Sequence, residues 1–527
     1  MRAFFRPFRF VVFFRVQTRF YVLIFEKRTP SVNAVDRVMN SIYRHFGRES
    51  PMSSAAIMDA IVSKIKSVLS AADEVLASDV SPGMAEEMNQ LLGEAMSAGW
   101  SEGLQAWLAT AETDAETIDI DGVTYRFKLE SEKEFLTPGG MIKLTRRVYQ
   151  PDAGGPCYVP LDAAWGMEGQ FAAVEVRDAA LYAIALGTAG EAETLLSKCS
   201  LFRPSATAIK RMAKQMGQWI EEHEEDVLTE VRNEELIPEE TRVLCASMDG
   251  VNVLLSEPGK KMGRPNERPH EGESREHVSP TCYKNAMVGS VSFYGQVPEG
   301  KVSPRRLVSR YAARMPEDRA PTLKAKFEQE LRQAESRLGD DAARIALCDG
   351  ARGLWTYLDN NLQFDGYEKL VDYHHTTEHL SLAAEAVFGK GTREAQDWYD
   401  KYCTKLKGED GGGLRVLRSL AYYERTTKLS KLRRKALATE RTFFTRNEHR
   451  MDYARFRRNG WPIGSGPVEA ACKSVVKTRL CRSGMRWSRF GGQNILSLRT
   501  YVKSNRWDAM WQQYKRIERS RCTHNTT

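Results

Sequence analysis

A chain of 527 residues, 42% hydrophobic and 28% charged, can hold about three to four domains and bury sizeable cores, which excludes a low-complexity or wholly disordered protein. No run of roughly 20 apolar residues is present to span a bilayer, and a net charge of +8 conceals a strong asymmetry. Residues 401–527 hold 30 Lys and Arg against 9 Asp and Glu, a net of +21, while residues 1–50 carry +7 and residues 51–400 carry −20. So basic a C-terminal quarter points to a polyanion as partner, because phosphate neutralisation and counterion release drive nucleic-acid binding. A merely solvated basic face would not need that excess. The nine cysteines include no C-x-x-C pair, so they match neither the common zinc patterns nor a disulfide framework, and read as reduced, mostly buried thiols.

In chain order, the apolar residues from Arg2 to Arg28 are broken by Arg6, Arg9, Arg15 and Arg19, and lack both the unbroken apolar region and the cleavage site of a signal peptide. An amphipathic membrane segment is one reading. The one adopted is that residues 1–51 are a disordered or mis-annotated extension and that Met52 opens the true chain, because Met52 to Leu69 reads as the capped start of a helix. The expected location is therefore cytoplasmic. Residues 52–165 are expected to hold N-terminal helices over 53–76 and 84–113, with Ile57, Ile61, Ile65 and Leu69 spaced by four. A small antiparallel sheet follows. Ile118 to Phe127 alternates around an Asp-Gly turn, and Met141 to Tyr149 follows Pro-Gly-Gly.

Residues 166–240 read as helical over 167–198 and 205–235. The stretch from Leu181 to Glu221 fits a helix-turn-helix with Ser205 as cap and Lys210, Arg211 and Lys214 facing DNA, and equally an ordinary helical hairpin. From 241 to 375 the pattern is α/β. Strands are expected at Val243–Asp249, Met287–Tyr294, Arg344–Asp349 and Tyr367–Val371, with helices over 319–338 and 351–361 and a loop at 256–280. Residues 376–459 read as helical, 460–510 as a helix and basic region, and 511–527 as a flexible tail.

Two places share one design, a short apolar strand ending in Asp-Gly: Asp249-Gly250 and Asp349-Gly350. An acid ending a buried strand places its carboxylate at the rim of a sheet, where open α/β sheets bind ligands. Either alone reads as a turn residue. The third acid is Glu469, in the first turn of a helix through about Leu480 that Gly466 caps and Pro467 opens. By itself Glu469 reads as a dipole partner, and Glu469, Lys473 and Lys477 as a salt-bridge stripe. Together, three carboxylates can hold two Mg²⁺ or Mn²⁺ ions about 4 Å apart for in-line phosphoryl displacement.

With these residues in view, the sequence resembles bacterial insertion-sequence transposases with an Asp-Asp-Glu triad, in particular the Kra-type group. The resemblance covers about Ile118 to Tyr501. It rests on an ordered set that includes Tyr125-Arg-Phe, Arg146-Arg-Val-Tyr149, Pro160-Leu-Asp162, Met248-Asp-Gly250, Ser309-Arg-Tyr311 and Cys348-Asp-Gly-Ala351. The set continues through Val371 to Leu380, Arg450-Met-Asp-Tyr453, Gly464 to Glu469 and Gly484-Met-Arg-Trp487. The resemblance implies a multidomain α+β protein whose RNase H-like α/β core is interrupted by a helical insertion. It implies Asp249, Asp349 and Glu469 as catalytic metal ligands, with Asp372 and His375 as auxiliary residues or a structural polar pair. Expected DNA contacts are Lys473, Lys477, Arg479, Arg482, Arg486 and Trp487, together with Lys210, Arg211 and Lys214. It further implies double-stranded DNA, both element ends and target, as partner, a homo-oligomer, and neither membrane nor small-molecule cofactor. Two departures stand out. Only Cys157 precedes the Pro-Leu-Asp stretch, where relatives often carry a cysteine pair, and the N-terminal extension has no counterpart. Two rival readings remain: a catalytically silent DNA-binding derivative, and a zinc metallopeptidase through His375, Glu378 and His379, which fit H-x-x-E-H.

Overall fold

The computed structural model describes residues 10–16, 19–25, 54–70, 81–256, 283–339 and 341–524. The loop expected at 256–280 lies, Ser256 apart, outside the described residues, as does most of the expected 1–51 extension. Within that extension, β1 (Phe10–Val16) pairs antiparallel with β2 (Arg19–Phe25). The chain divides into two compact units. The first comprises Met1–Arg177, Ser197–Arg203 and Glu518–Thr527, the second Asp178–Leu196 and Pro204–Ile517.

In the first unit, helices α1 (Ser54–Leu69) and α2 (Pro82–Ala109) pack together beside an antiparallel sheet β3-β4-β5 (Thr117–Ile120, Val123–Thr137, Gly140–Pro151). The Asp-Gly turn is as expected: Asp121 and Gly122 both take positive φ, which a two-residue hairpin loop needs. Phe135, Ile142 and Leu144 form a core with Leu108 of α2, and with Leu161 of α3 (Pro160–Ala164). Within it Arg146 and Asp162 form a buried ion pair of 2.8 Å.

The second unit is built on a five-stranded sheet of order β10-β9-β6-β7-β8 (Glu368–Val371, Ala343–Cys348, Val243–Leu254, Tyr283–Tyr294, Arg306–Arg314). β6, β7 and β8 form an antiparallel meander, and β9 and β10 add in parallel on the other side of β6. Alternate residues of the central strands face opposite ways, as a strand's two-residue period dictates. Val243, Cys245, Ile345 and Leu347 pack with the helices that come after β10: α9 (Tyr373–Phe388), α10 (Arg393–Gly408), α11 (Gly412–Thr426), α12 (Lys431–Asn447) and α13 (Tyr453–Arg458). Leu244, Ala246, Met248, Ala346 and Cys348 pack instead with α7 (Pro321–Glu335) and α8 (Arg352–Asp359).

Several expectations need correction. The strand carrying Asp249 does not end there. β7 runs alongside as far as Leu254↔Tyr283, so β6 stays paired for twelve residues. β8 was not expected as a strand at all. The helix expected over 167–198 is two, α4 (Val174–Leu186) and α5 (Ala189–Cys199). α6 (Ala206–Glu234) is capped by the Ser205 side chain as expected. The supposed flexible tail is α16 (Trp507–His524), anchored by the buried Trp511 and Tyr514.

Candidate active site

Register brings the two aspartates together. β6 and β9 pair in parallel through Cys245↔Ile345 and Ala246↔Ala346, and three residues beyond that last pair lie Asp249, still within β6, and Asp349, just past the end of β9. There the ladder opens: the Met248 amide donates to Cys348 Sγ at 3.4 Å instead of to a carbonyl. Both aspartates are half-buried. Asp249 accepts from the Gly250 amide at 2.6 Å, and Asp349 from the Ala351 amide at 2.9 Å. Burial raises the Asp349 carboxyl above its ordinary value, the Ala351 amide and His375 oppose that rise, and the charges of Asp249 and Asp372 add to it.

Glu469 sits in α14 (Gly466–Ala471), which packs against β6 and β7. Its cap is Ser465, not Gly466 as expected, and the Ser465 hydroxyl donates to Glu469 Oε1 at 2.8 Å without accepting from a backbone amide of the helix. One turn on lies the buried Cys472 thiol. Burial, then the charge of Asp249, pushes that thiol up, and Glu469 adds to the effect. Glu469 and Asp249 thus flank one cysteine, a residue that sequence reasoning missed although its i+3 spacing from Glu469 puts both on one helix face. Glu469 itself is solvent-exposed.

Asp372 is fully buried and ties three segments. Its amide donates to Cys348 O at 2.8 Å, and its carboxylate caps α9 by accepting from the His375 amide at 2.7 Å. The same carboxylate accepts from the Ser465 amide, just ahead of the glutamate helix. The end of β9, the start of α9 and the loop to Glu469 are therefore held by one side chain.

Among the described residues, no three His, Cys, Asp or Glu side chains are gathered closely enough to hold a metal ion. The chemistry of the donors nevertheless suits a hard divalent cation: two half-buried carboxylates repel each other across adjacent strands, and a cation would relieve that repulsion. The H-x-x-E-H residues are engaged otherwise. His379 Nδ1 lies 2.6 Å from Glu440 and its ring stacks on Phe443 at 3.6 Å, while Glu378 points to solvent 3.6 Å from His375.

The expected DNA contacts divide. Lys473, Lys477 and Arg486 are exposed, as are Lys210, Arg211 and Lys214 on the first turns of α6. Arg479 is not available. It is 4% exposed, donates to Ile184 O at 3.4 Å and lies 5.0 Å over the Trp487 ring. Arg482 is held by both oxygens of Glu191, at 2.6 and 2.7 Å. Trp487 bridges to Leu255 and donates its indole N–H to Leu480 O.

No helix among the described residues is long and apolar enough to cross a membrane. No family model matches the chain, and no curated protein matches it. Among solved structures, the chain is similar to a Drosophila P element transposase strand transfer complex at 9% identity. The match covers 65% of this chain and 80% of that one with a TM-score of 0.22, a likeness too small to carry an argument.

Proposed function

We propose that the chain is a DNA transposase of the Asp-Asp-Glu type, with Asp249, Asp349 and Glu469 as its acids. One observation carries the reading: Asp249 on β6 and Asp349 just past the end of β9 lie at the same distance beyond the last pair of two adjacent parallel strands, and the helix bearing Glu469 packs on the first of those strands. The strand order, an antiparallel meander extended by two parallel strands, supports an RNase H-like core. The helices between β10 and α14 support the helical insertion that the resemblance implies.

Two Mg²⁺ or Mn²⁺ ions held by these acids would activate water or a 3′-hydroxyl and stabilise the leaving oxygen. The protein's own part is positioning. Asp372 fixes the loop that presents Glu469, Ser465 orients its carboxylate, and His375, whose charge acts on Asp349, would meet the scissile phosphate. The reaction is hydrolysis at element ends followed by attack of the freed 3′-hydroxyls on target DNA, in a homo-oligomer that aligns two ends. A bacterial insertion sequence is the expected source.

The silent DNA-binding derivative draws on one observation, that the three carboxylates are not gathered into a cluster. A single experiment separates the two. Full-length protein is incubated with a supercoiled plasmid carrying the DNA that flanks its reading frame, with Mg²⁺ or Mn²⁺. Strand cleavage by wild type, lost to background in Asp249→Ala, Asp349→Ala and Glu469→Ala alike while DNA binding persists, supports the transposase. Cleavage retained in all three variants, or absent from wild type that binds DNA, sinks it.

A further inference from the structure

Beside Asp349 a cleft of about 480 Å³ opens between α8 and α12. Gly350 forms one end of its lining. Arg352 projects from the first turn of α8 and Arg446 from the last turn of α12. Both are exposed, and neither guanidinium has an ion-pair partner among the described residues. This is unusual company in a chain that ties up so many arginines. Between them lie the hydroxyls of Thr356, Thr439 and Thr442. Each donates to the carbonyl four residues earlier, which leaves its oxygen lone pairs free to accept but no proton for an anion. Anion recognition therefore falls to the two arginines.

Beneath them the cleft is rigid. Arg450, 8% exposed, lies 4.2 Å over the Trp355 ring and bonds Asp359 at 2.5 Å and Asn447 at 3.3 Å. Trp355 in turn donates its indole N–H to Asp349 O at 2.6 Å, which ties the cleft to the aspartate itself. Asp359, the cleft's one carboxylate, is neutralised by Arg450 and by Lys369 at 3.1 Å. What faces solvent is therefore net positive and arranged along a groove, which suits a chain of phosphates better than a single compact anion.

We propose that this cleft holds the phosphodiester backbone of the DNA strand that passes Asp349, with Arg352 and Arg446 as its phosphate ligands. The inference rests on the transposase reading for the identity of the strand, yet its test needs no catalysis. Fluorescence anisotropy of labelled duplex and single-stranded oligonucleotides is measured over a salt series with full-length protein. The variants are R352E/R446E and a control of equal charge change on exposed α10, R393E/K401E. The cleft variant should bind at least about tenfold more weakly. Its log–log salt slope should be shallower by about two phosphate contacts, roughly 1.4 for single strands and 1.8 for duplex, and the control should match wild type. R352Q/R446Q, with an unchanged melting temperature, guards against misfolding and should show the same change in slope. If the cleft variants bind with the affinity and slope of the control, the cleft assignment fails, whatever the cleavage assays show. Cleavage that does not depend on the three acids, with the cleft effect intact, sinks the transposase reading alone.

Discussion

Gly350 has an ordinary negative φ, so its backbone does not call for glycine. Its neighbour does. A Cβ there would lie 2.2 Å from Cε2 of Phe443, a ring stacked on His379, which is itself held by Glu440. Overpacking against a ring fixed in this way costs about 1–3 kcal/mol. Gly350→Ala should therefore lower the urea midpoint, and Gly350→Ala with Phe443→Leu should recover most of the loss. If Gly350→Ala is as stable as wild type, the steric account is wrong. The Asp-Gly pairs were legible in the sequence as a repeated design, but their plain explanation there was turn geometry. Gly250 lies inside a strand, where a Cβ would come 2.9 Å from the Met287 sulfur. In both cases the reason for glycine sits on an element remote in the chain, which spacing cannot reveal. Asp372 is similar. Its place just past a core strand was visible, whereas its bond to the Ser465 amide depends on a loop that returns only after the whole helical insertion.

The helix after Glu469 was expected to run evenly to Leu480, with Glu469, Lys473 and Lys477 on one face. Over Cys472–Lys477 it is instead a π turn, bonded i→i+5, so a four-residue spacing no longer stays on one face. The cause is Arg499 on α15 (Arg489–Lys503), buried and donating to Val475 O at 2.6 Å, to Ser474 O and to Thr478 Oγ1 at 3.2 Å. A guanidinium that claims two successive carbonyls widens the turn. Arg499→Met should strand these carbonyls, at about 1–3 kcal/mol for each left unsatisfied, and speed amide exchange over 472–478. Arg499→Lys should rescue little, because an ammonium lacks the planar fork. Unchanged exchange in Arg499→Met would show that the π turn is intrinsic to its own sequence. The break between α4 and α5, by contrast, has a signal in the sequence itself. It carries a capping box, Thr188 with Glu191, each side chain bonding the other's amide. β8 has none, because an edge strand that is mostly half-exposed and carries three arginines shows no clean alternation.

Across the molecule, the basic C-terminal quarter was legible as charge but not as surface. Arg479, Arg499 and Arg506 are buried, and Arg450, Arg455 and Arg482 are paired with carboxylates. Much of that excess therefore serves the fold. Its densest use is a buried network that joins α6, α7, β8 and the turn before α16. Glu330 bonds Arg232 and Arg506, both at 2.8 Å, and Glu235 bonds Arg506 at 2.6 Å and Arg310 at 3.0 Å. Burial alone would raise the Glu330 carboxyl, but Arg506 and then Arg232 outweigh it and bring it from 4.5 down to about 2. A carboxyl depressed in the folded state stabilises fully above its unfolded value and loses that contribution as pH falls through its folded one. The network should therefore contribute on the order of 3 kcal/mol at neutral pH, lost between about pH 4.5 and 2. Glu330→Gln leaves Arg232 buried without its carboxylate partner, while Arg506 keeps Glu235. It should cost about 3–5 kcal/mol at pH 7. More tellingly, the stability gap between variant and wild type should close as pH drops from 5 to 2.5, because wild type alone has this carboxylate to lose. Urea unfolding of both proteins across that range tests it. Parallel curves with a constant gap would mean that Glu330 acts through packing and hydrogen-bond geometry, and that its charge contributes nothing to the fold.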